Sequence, residues 1–184
     1  MPYRNANYTA FYVEEPFAPY GLGACATPDF NNYLMIKAWK KQDSSFPFIN
    51  AHDKTYSVRD GSDWEGTLRP RLRERLRHSK NIILILSSHT HPSRALNEEM
   101  RYGIGTLGLP VIVVYPEFEP IRSNGWLDSK AYGVWNKLPS FKSNMDAVPT
   151  VHVPLRKDAL REALTSSSFM IQTKREPGIF HFDL

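Results

Sequence analysis

One cysteine, Cys25, stands among 184 residues. It excludes an internal disulfide framework and a zinc site built on several cysteines, and a reducing compartment is expected. Long apolar runs are missing as well: residues 81–88 and 109–116 are the longest, far short of the ~20 residues that cross a bilayer. The start, MPYRNANYTAFY, carries no apolar core behind a basic stretch, so no secretory leader is expected. The expectation is a cytoplasmic protein without a membrane partner. Repeats are absent, and so is a strong charge of one sign. With 23 Lys+Arg against 19 Asp+Glu the net charge is +4, which permits an anionic ligand without requiring one.

What is present suits a packed core. Hydrophobic residues make up 41% of the chain, and a chain this long buries roughly 70% of its unfolded surface. One domain over 1–184 is expected, with an irregular insertion at about 116–149, a stretch too long for a plain connection. The basic residues concentrate at Arg69, Arg71, Arg73, Arg75, Arg77 and Lys80. Leu68, Leu72 and Leu76 recur among them every four residues, beside Trp64, which is the pattern of an amphipathic helix with a basic outer face. No aromatics interleave with the arginines to stack bases, so a nucleic-acid partner is not expected.

Strands are expected at residues 8–13, 46–51, 81–88, 110–115 and 150–155. Helices are expected at 29–42 with Asp29 as N-cap, from the capping-box sequence Ser62-Asp63-Trp64-Glu65 to near His78 with either a kink at Pro70 or a regular part that starts near Thr67, at 95–107 with Ser93 as N-cap, and at 157–164. Residues 81–88 (NIILILSS) and 110–115 (PVIVVY) are nearly continuous apolar strands, as in parallel sheets covered on both faces. The alternation implies an α/β fold: one doubly wound parallel sheet of about five strands in the flavodoxin-like order 2-1-3-4-5. Ligands of such sheets bind beyond the carboxyl ends of the strands. Glu14, Glu15, His52, Asp53 and the run from Ser87 to His91 stand there.

Several chemistries fail at those ends. A receiver domain needs an acceptor Asp where Ser87 and Ser88 stand. A P-loop needs G-x-x-x-x-G-K-[ST] after the first strand. The G-x-G-x-x-A pattern from Gly21 to Ala26 has no strand leading into it and Pro28 close behind, so it lacks the dinucleotide context. His89 and His91 lack a third ligand, so no metal is expected. Ser87 and Ser88, with free N–H groups at the following helix start, suit a phosphate; ending the strand is an equally good account of them.

The segment Ser87-Ser88-His89-Thr90-His91-Pro92-Ser93-Arg94-Ala95-Leu96-Asn97-Glu98-Glu99-Met100 resembles the signature that follows the third strand of TIR (Toll/interleukin-1 receptor) domains. In that signature a strand-end Ser precedes a loop, a second Ser, a Trp, and a Glu before an apolar residue. Ser87, Ser93, Glu99 and Met100 match; Ala95 replaces the Trp. Tyr8-Thr9-Ala10-Phe11 resembles the first-strand box, with Thr9 where Asp is usual, and PVIVVY fits the fourth strand. The resemblance spans roughly residues 8–116 and is nearest to bacterial TIR-like proteins, including the TIR-like component of Thoeris antiphage systems.

The resemblance implies cleavage of NAD between nicotinamide and ribose, giving nicotinamide and ADP-ribose or a cyclic isomer that signals to a nucleotide-sensing effector. NAD is then a substrate, and no bound cofactor is implied. It also implies self-association through TIR–TIR contacts. Glu99 would be the catalytic carboxylate; Phe11, Tyr12, Asp53, Ser87, Ser88 and His89 would contact substrate. Helix geometry separates the two adjacent glutamates. At about 100° per residue, Leu96, Met100, Gly103, Ile104 and Leu107 form one stripe, with Glu99 roughly 85° from its centre and Glu98 roughly 175° away, toward solvent. A position near the helix start would favour an ionised Glu99. Two rivals remain: a TIR-like interaction module without catalysis, which the changes at Ala95 and Thr9 favour, and a nucleoside deoxyribosyltransferase-like enzyme with a glutamate nucleophile.

Overall fold

The computed structural model describes residues 4–13, 27–52, 63–119, 121–123 and 126–181. The loop at 14–26 with its glycine pattern, Asp53 and Ser62 lie outside them. In chain order the elements are β1 (Ala6–Ala10), α1 (Pro28–Gln42), a π-helical turn (Trp64–Leu68), α2 (Arg69–Arg77), β2 (Ser79–Ile85), α3 (Arg94–Met100) and a second π-helical stretch (Arg101–Thr106). β3 (Val111–Tyr115), β4 (Arg122–Ser123), β5 (Trp126–Leu127), α4 (Ser129–Trp135), α5 (Pro139–Lys142), β6 (Pro149–Pro154), α6 (Lys157–Thr165) and β7 (Gly178–His181) follow.

The main sheet has the order β1-β2-β3-β6-β7, and every pairing in it is parallel. Apolar β2 and β3 lie at its heart with both faces covered, as their composition requires. On one face Ile82, Leu84, Val111 and Val113 pack against Leu72 and Leu76 of α2, Leu96 and Met100 of α3, and the α4 and α5 side chains Val134, Trp135 and Phe141. On the other, Ile83, Ile85, Ile112 and Val114 pack against Tyr33 and Ile36 of α1 and Leu160 and Leu164 of α6. Gly103 lets the α3 extension lie close on β2, since a Cβ there would overlap Ile82. Gly108, at φ +62°, ends that stretch in the left-handed conformation that glycine adopts readily.

The order 2-1-3-4-5 holds with two modifications. The segment at 46–51 lies beside β1 but pairs only through one parallel bridge, Asn7 to Asn50. Pro47 has no N–H to give a ladder, and the Asn7 side chain takes the Ile49 N–H instead, at 2.8 Å. Phe46 and Phe48 are buried, so the segment is held by packing rather than pairing. At the opposite edge β7 extends the sheet beyond β6, where no strand was expected. Within the described residues of the insertion, β4 and β5 pair antiparallel, and α4 and α5 cap the core.

Cap positions shift slightly. Thr27, not Asp29, caps α1, its hydroxyl accepting from the Phe30 N–H. Asp63 caps the π-helical turn before α2, and Pro70 sits in the first turn of α2, directly after that π-helical turn. Ser93 caps α3 as expected.

Candidate active site

Glu99 projects from α3 toward β1. The residue is buried (8% exposed), and Oε1 accepts a hydrogen bond from the Tyr8 hydroxyl at 2.7 Å. Oε2 is buried with no partner among the described residues, and so is Nε of Arg75, whose positive charge acts on this carboxyl. Burial pushes the Glu99 carboxyl up to about 8, against the opposing pull of the Tyr8 hydrogen bond and the Arg75 charge. The Tyr8 hydroxyl is raised well above its ordinary range, first by burial and then by the Glu99 charge. The expectation of an ionised Glu99 near the helix start is therefore corrected: Glu99 stands past the first turn of α3, where the helix field fades, and desolvation decides.

Glu98 is corrected too. It does not point into solvent; its side chain is 14% exposed and accepts from Arg73 Nε at 2.6 Å, because α2 lays its basic face along α3. That basic face is largely engaged by protein: Arg69 pairs with Glu65, and Arg77 donates to the Tyr102 hydroxyl. A surface cleft of about 320 Å³ lies beside this ionic network, lined by Trp64, Arg69, Arg94 and Arg101 among others. Glu99 does not line it.

His52 joins the Glu99 group to the strand ends. Its ring lies 4.8 Å from that of Tyr8 and 6.0 Å from that of Tyr33. The neighbours fix its hydrogen-bonding pattern: Nε2 faces the Thr9 carbonyl at 3.0 Å and must donate, while Nδ1 faces a guanidinium nitrogen of Arg75 at 3.4 Å and must accept. Tyr33 stacks on Phe11 at 5.0 Å. A continuous path thus runs from Phe11 through Tyr33, His52 and Tyr8 to Glu99.

The other expected residues gather at the carboxyl ends of β1 and β2. Tyr12 presents its ring edge to His91, 5.3 Å away. Ser87 is buried and donates to Asp29 Oδ1 at 2.6 Å; Asp29 also accepts from Thr90 at 2.9 Å. Burial raises the Asp29 carboxyl, and the two hydroxyl donors oppose that rise. Ser88 is exposed, and both its N–H (2.8 Å) and its hydroxyl donate to Glu117. His89 approaches the same carboxylate at 3.7 Å. Lys137, from the insertion, donates to the Ser88 carbonyl. Among the described residues no three of His, Cys, Asp and Glu gather as metal ligands, and no helix is long and apolar enough to cross a membrane.

Sequence reasoning missed Tyr8, Arg75, Asp29 in its buried role, Glu117 and Lys137. Tyr8 and Asp29 were open to a simple test: a polar group on a buried strand or helix face requires a partner. Glu117 and Lys137 lie far along the chain from Ser88, and no local pattern links them.

A parallel sheet with helices on both faces, a polar loop after β2 and a buried glutamate on the helix that follows define a TIR-like domain. The family model of the Thoeris protein ThsB, TIR-like domain, matches residues 8–120, more than half of the chain, and the chain belongs to that family.

Proposed function

We propose that this protein is a cytoplasmic antiphage-defence signalling enzyme that cleaves the nicotinamide–ribose bond of NAD, giving nicotinamide and ADP-ribose or a cyclic isomer. The observation that carries the reading is Glu99: a buried carboxyl, oriented by Tyr8, at the position the TIR-like signature reserves for its glutamate. Family membership supports the defence setting.

The chemistry asks little of the protein. The bond from ribose C1′ to the pyridinium nitrogen breaks, and its electron pair neutralises the ring, so nicotinamide leaves without a general acid. The ribosyl group left behind carries oxocarbenium-like charge, which the anionic form of Glu99, populated as pH rises toward about 8, stabilises while a carboxyl oxygen accepts from a ribose hydroxyl. Water, or a nucleophile elsewhere on the same ADP-ribose, bonds to C1′ and releases a proton. Phe11, Tyr12 and the loop at Ser87, Ser88 and His89 border the strand ends where NAD would lie. Asp53 keeps its proposed role as a substrate contact, outside the described residues. Assembly through TIR–TIR contacts completes such a site, and the product acts on a nucleotide-sensing effector.

The experiment is nicotinamide release from NAD across a series of protein concentrations, with wild type and Glu99→Gln. Turnover that rises steeply with concentration and vanishes in a folded Glu99→Gln variant is the expected result. Turnover unchanged in that variant ends the mechanism. The second reading, a non-catalytic TIR-like interaction module, gains from one observation: the Ser87 and Ser88 hydroxyls are already committed to Asp29 and Glu117. No release at any concentration, with or without phage infection as trigger, would select it.

A further inference from the structure

The two oxygens of Glu99 are not equivalent. Oε1 is held at 2.7 Å by the Tyr8 hydroxyl; Oε2 is buried and has no partner among the described residues. Folded proteins seldom leave a buried carboxyl oxygen unmatched. Nε of Arg75 is unmatched too, on the helix whose charge bears on both Tyr8 and Glu99. Tyr8 itself is fixed: it is 1% exposed on β1, in register with Ile82 of β2, and its ring packs on His52.

We propose that Tyr8 is a positioning residue for Glu99, clamping Oε1 so that Oε2 is the oxygen that meets a ribose hydroxyl and the positive charge developing beside it. This rests on the reading that Glu99 serves ribosyl transfer, and deepens it. A glutamate carboxyl turns readily about its last torsion, which is broad and nearly two-fold. One donor on a rigid strand removes that freedom and presents a single oxygen.

The same hydroxyl stabilises the anion more than the neutral acid, because an ionised carboxylate is the stronger acceptor. The clamp therefore also sets the pH at which Glu99 becomes the anion the reaction needs. The groups acting on it are Tyr8 from β1 and Arg75 from α2, with His52 behind both; Glu98, beside it on α3, is turned away to Arg73. Without the Tyr8 hydroxyl, burial and Arg75 alone decide, and the anion forms at higher pH.

The test uses the whole chain as wild type, Tyr8→Phe and Glu99→Gln. Phenylalanine keeps the ring and its packing and removes only the hydroxyl. With carboxyl-13C glutamate incorporated, Glu99 is the resonance missing from Glu99→Gln, and its titration is followed by NMR. The expected result is a titration moved to higher pH in Tyr8→Phe. In nicotinamide release kcat should fall by about ten-fold or more, the loss of one hydrogen bond in the transition state. KM should change little, and the acid limb of the pH profile should move up with the titration.

A Tyr8→Phe variant that melts earlier but keeps the wild-type titration and acid limb reduces Tyr8 to a structural role and overturns the proposal. Wild-type kcat in a folded Tyr8→Phe variant overturns it equally. A shifted titration together with no NAD turnover by the wild type supports the Tyr8–Glu99 coupling and sinks the glycohydrolase reading instead.

Discussion

The Ser87 hydroxyl donates to the Asp29 carboxyl across 2.6 Å, inside a region closed to water, and ties the end of β2 to the first turn of α1. Thr90 donates to the second oxygen of the same carboxyl at 2.9 Å and accepts from the Ser87 N–H, also at 2.9 Å. The loop beside the candidate site is thus fixed from beneath by one acidic residue. Asp29→Ala leaves two buried hydroxyls without their acceptor and should cost about 1–3 kcal/mol. Asp29→Asn keeps an acceptor for Ser87 and should cost less. Urea melts of both variants check the order; equal losses would mean that the acceptor does not matter.

Glu99 makes stability depend on pH in an uncommon direction. An unfolded glutamate ionises near ~4.3, and this one is pushed up to about 8. Between those values the folded chain holds the proton and the unfolded chain does not, so stability falls as pH rises, by up to about 1.4 kcal/mol per unit. The contribution is fully present below about pH 4. Glu99→Gln removes the slope. Relative to wild type it should therefore gain stability at pH 8 compared with pH 5. Denaturant midpoints at the two values measure this, and a difference independent of pH would contradict a protonated Glu99.

His152 acts in the opposite sense. It is buried on β6, and Trp135 Nε1–H donates to the Tyr115 hydroxyl at 2.6 Å, which lies 2.7 Å from His152 Nδ1. Desolvation, aided by His181, lowers His152 to about 3. An unfolded histidine takes a proton near ~6.5, so below that pH the unfolded chain binds the extra proton. Stability is full above about 6.5 and declines as pH falls toward 3. His152→Phe should flatten the acid side of the stability profile at some loss of stability at pH 7, since the Tyr115 hydroxyl loses a buried hydrogen-bond partner. An acid limb unchanged in that variant would assign the decline elsewhere.

Much of the fold was readable because burial writes itself into composition. NIILILSS and PVIVVY are apolar at consecutive positions, so neither face can be wet, and they became the two central strands. The short pairing at Asn50 was less legible. Phe46 and Phe48 give a strand-like spacing, but Pro47 and the competing side chain of Asn7 reduce the ladder to one bridge. At the site, helix periodicity separated Glu99 from Glu98 correctly in rank. It placed Glu98 in solvent because the pattern of one helix says nothing of Arg73 on another. The charge state of Glu99 was misjudged for a similar reason: the helix start is visible in sequence, whereas the depth of burial under Tyr8 depends on how β1 and α3 pack.

The insertion offers a last prediction. It was recognisable only as a stretch too long for a connection, yet it grips the loop beside the site from above. Glu117, just past β3, accepts both Ser88 donors and lies near His89. Lys137, after α4, donates to the Ser88 carbonyl, and Ser140 of α5 donates to Asn97 of α3 at 2.7 Å. Asp29 holds the buried side of this loop, so the loop has two anchors, and the Glu117 charge also bears on Asp29. Glu117 and Ser88 are exposed, so removing their link should disturb the core little; exposed contacts of this kind are each worth about 1 kcal/mol or less. Its effect should appear in local order instead. Glu117→Ala, alone or with Lys137→Ala, should speed hydrogen exchange at residues 87–91 while leaving β2 and β3 protected. If the loop contacts NAD, KM for NAD should rise more than kcat falls. Glu117→Gln retains one oxygen acceptor and should recover part of the protection. Unchanged exchange in the double variant would show that Asp29 alone orders the loop and that the insertion has no hold on the site.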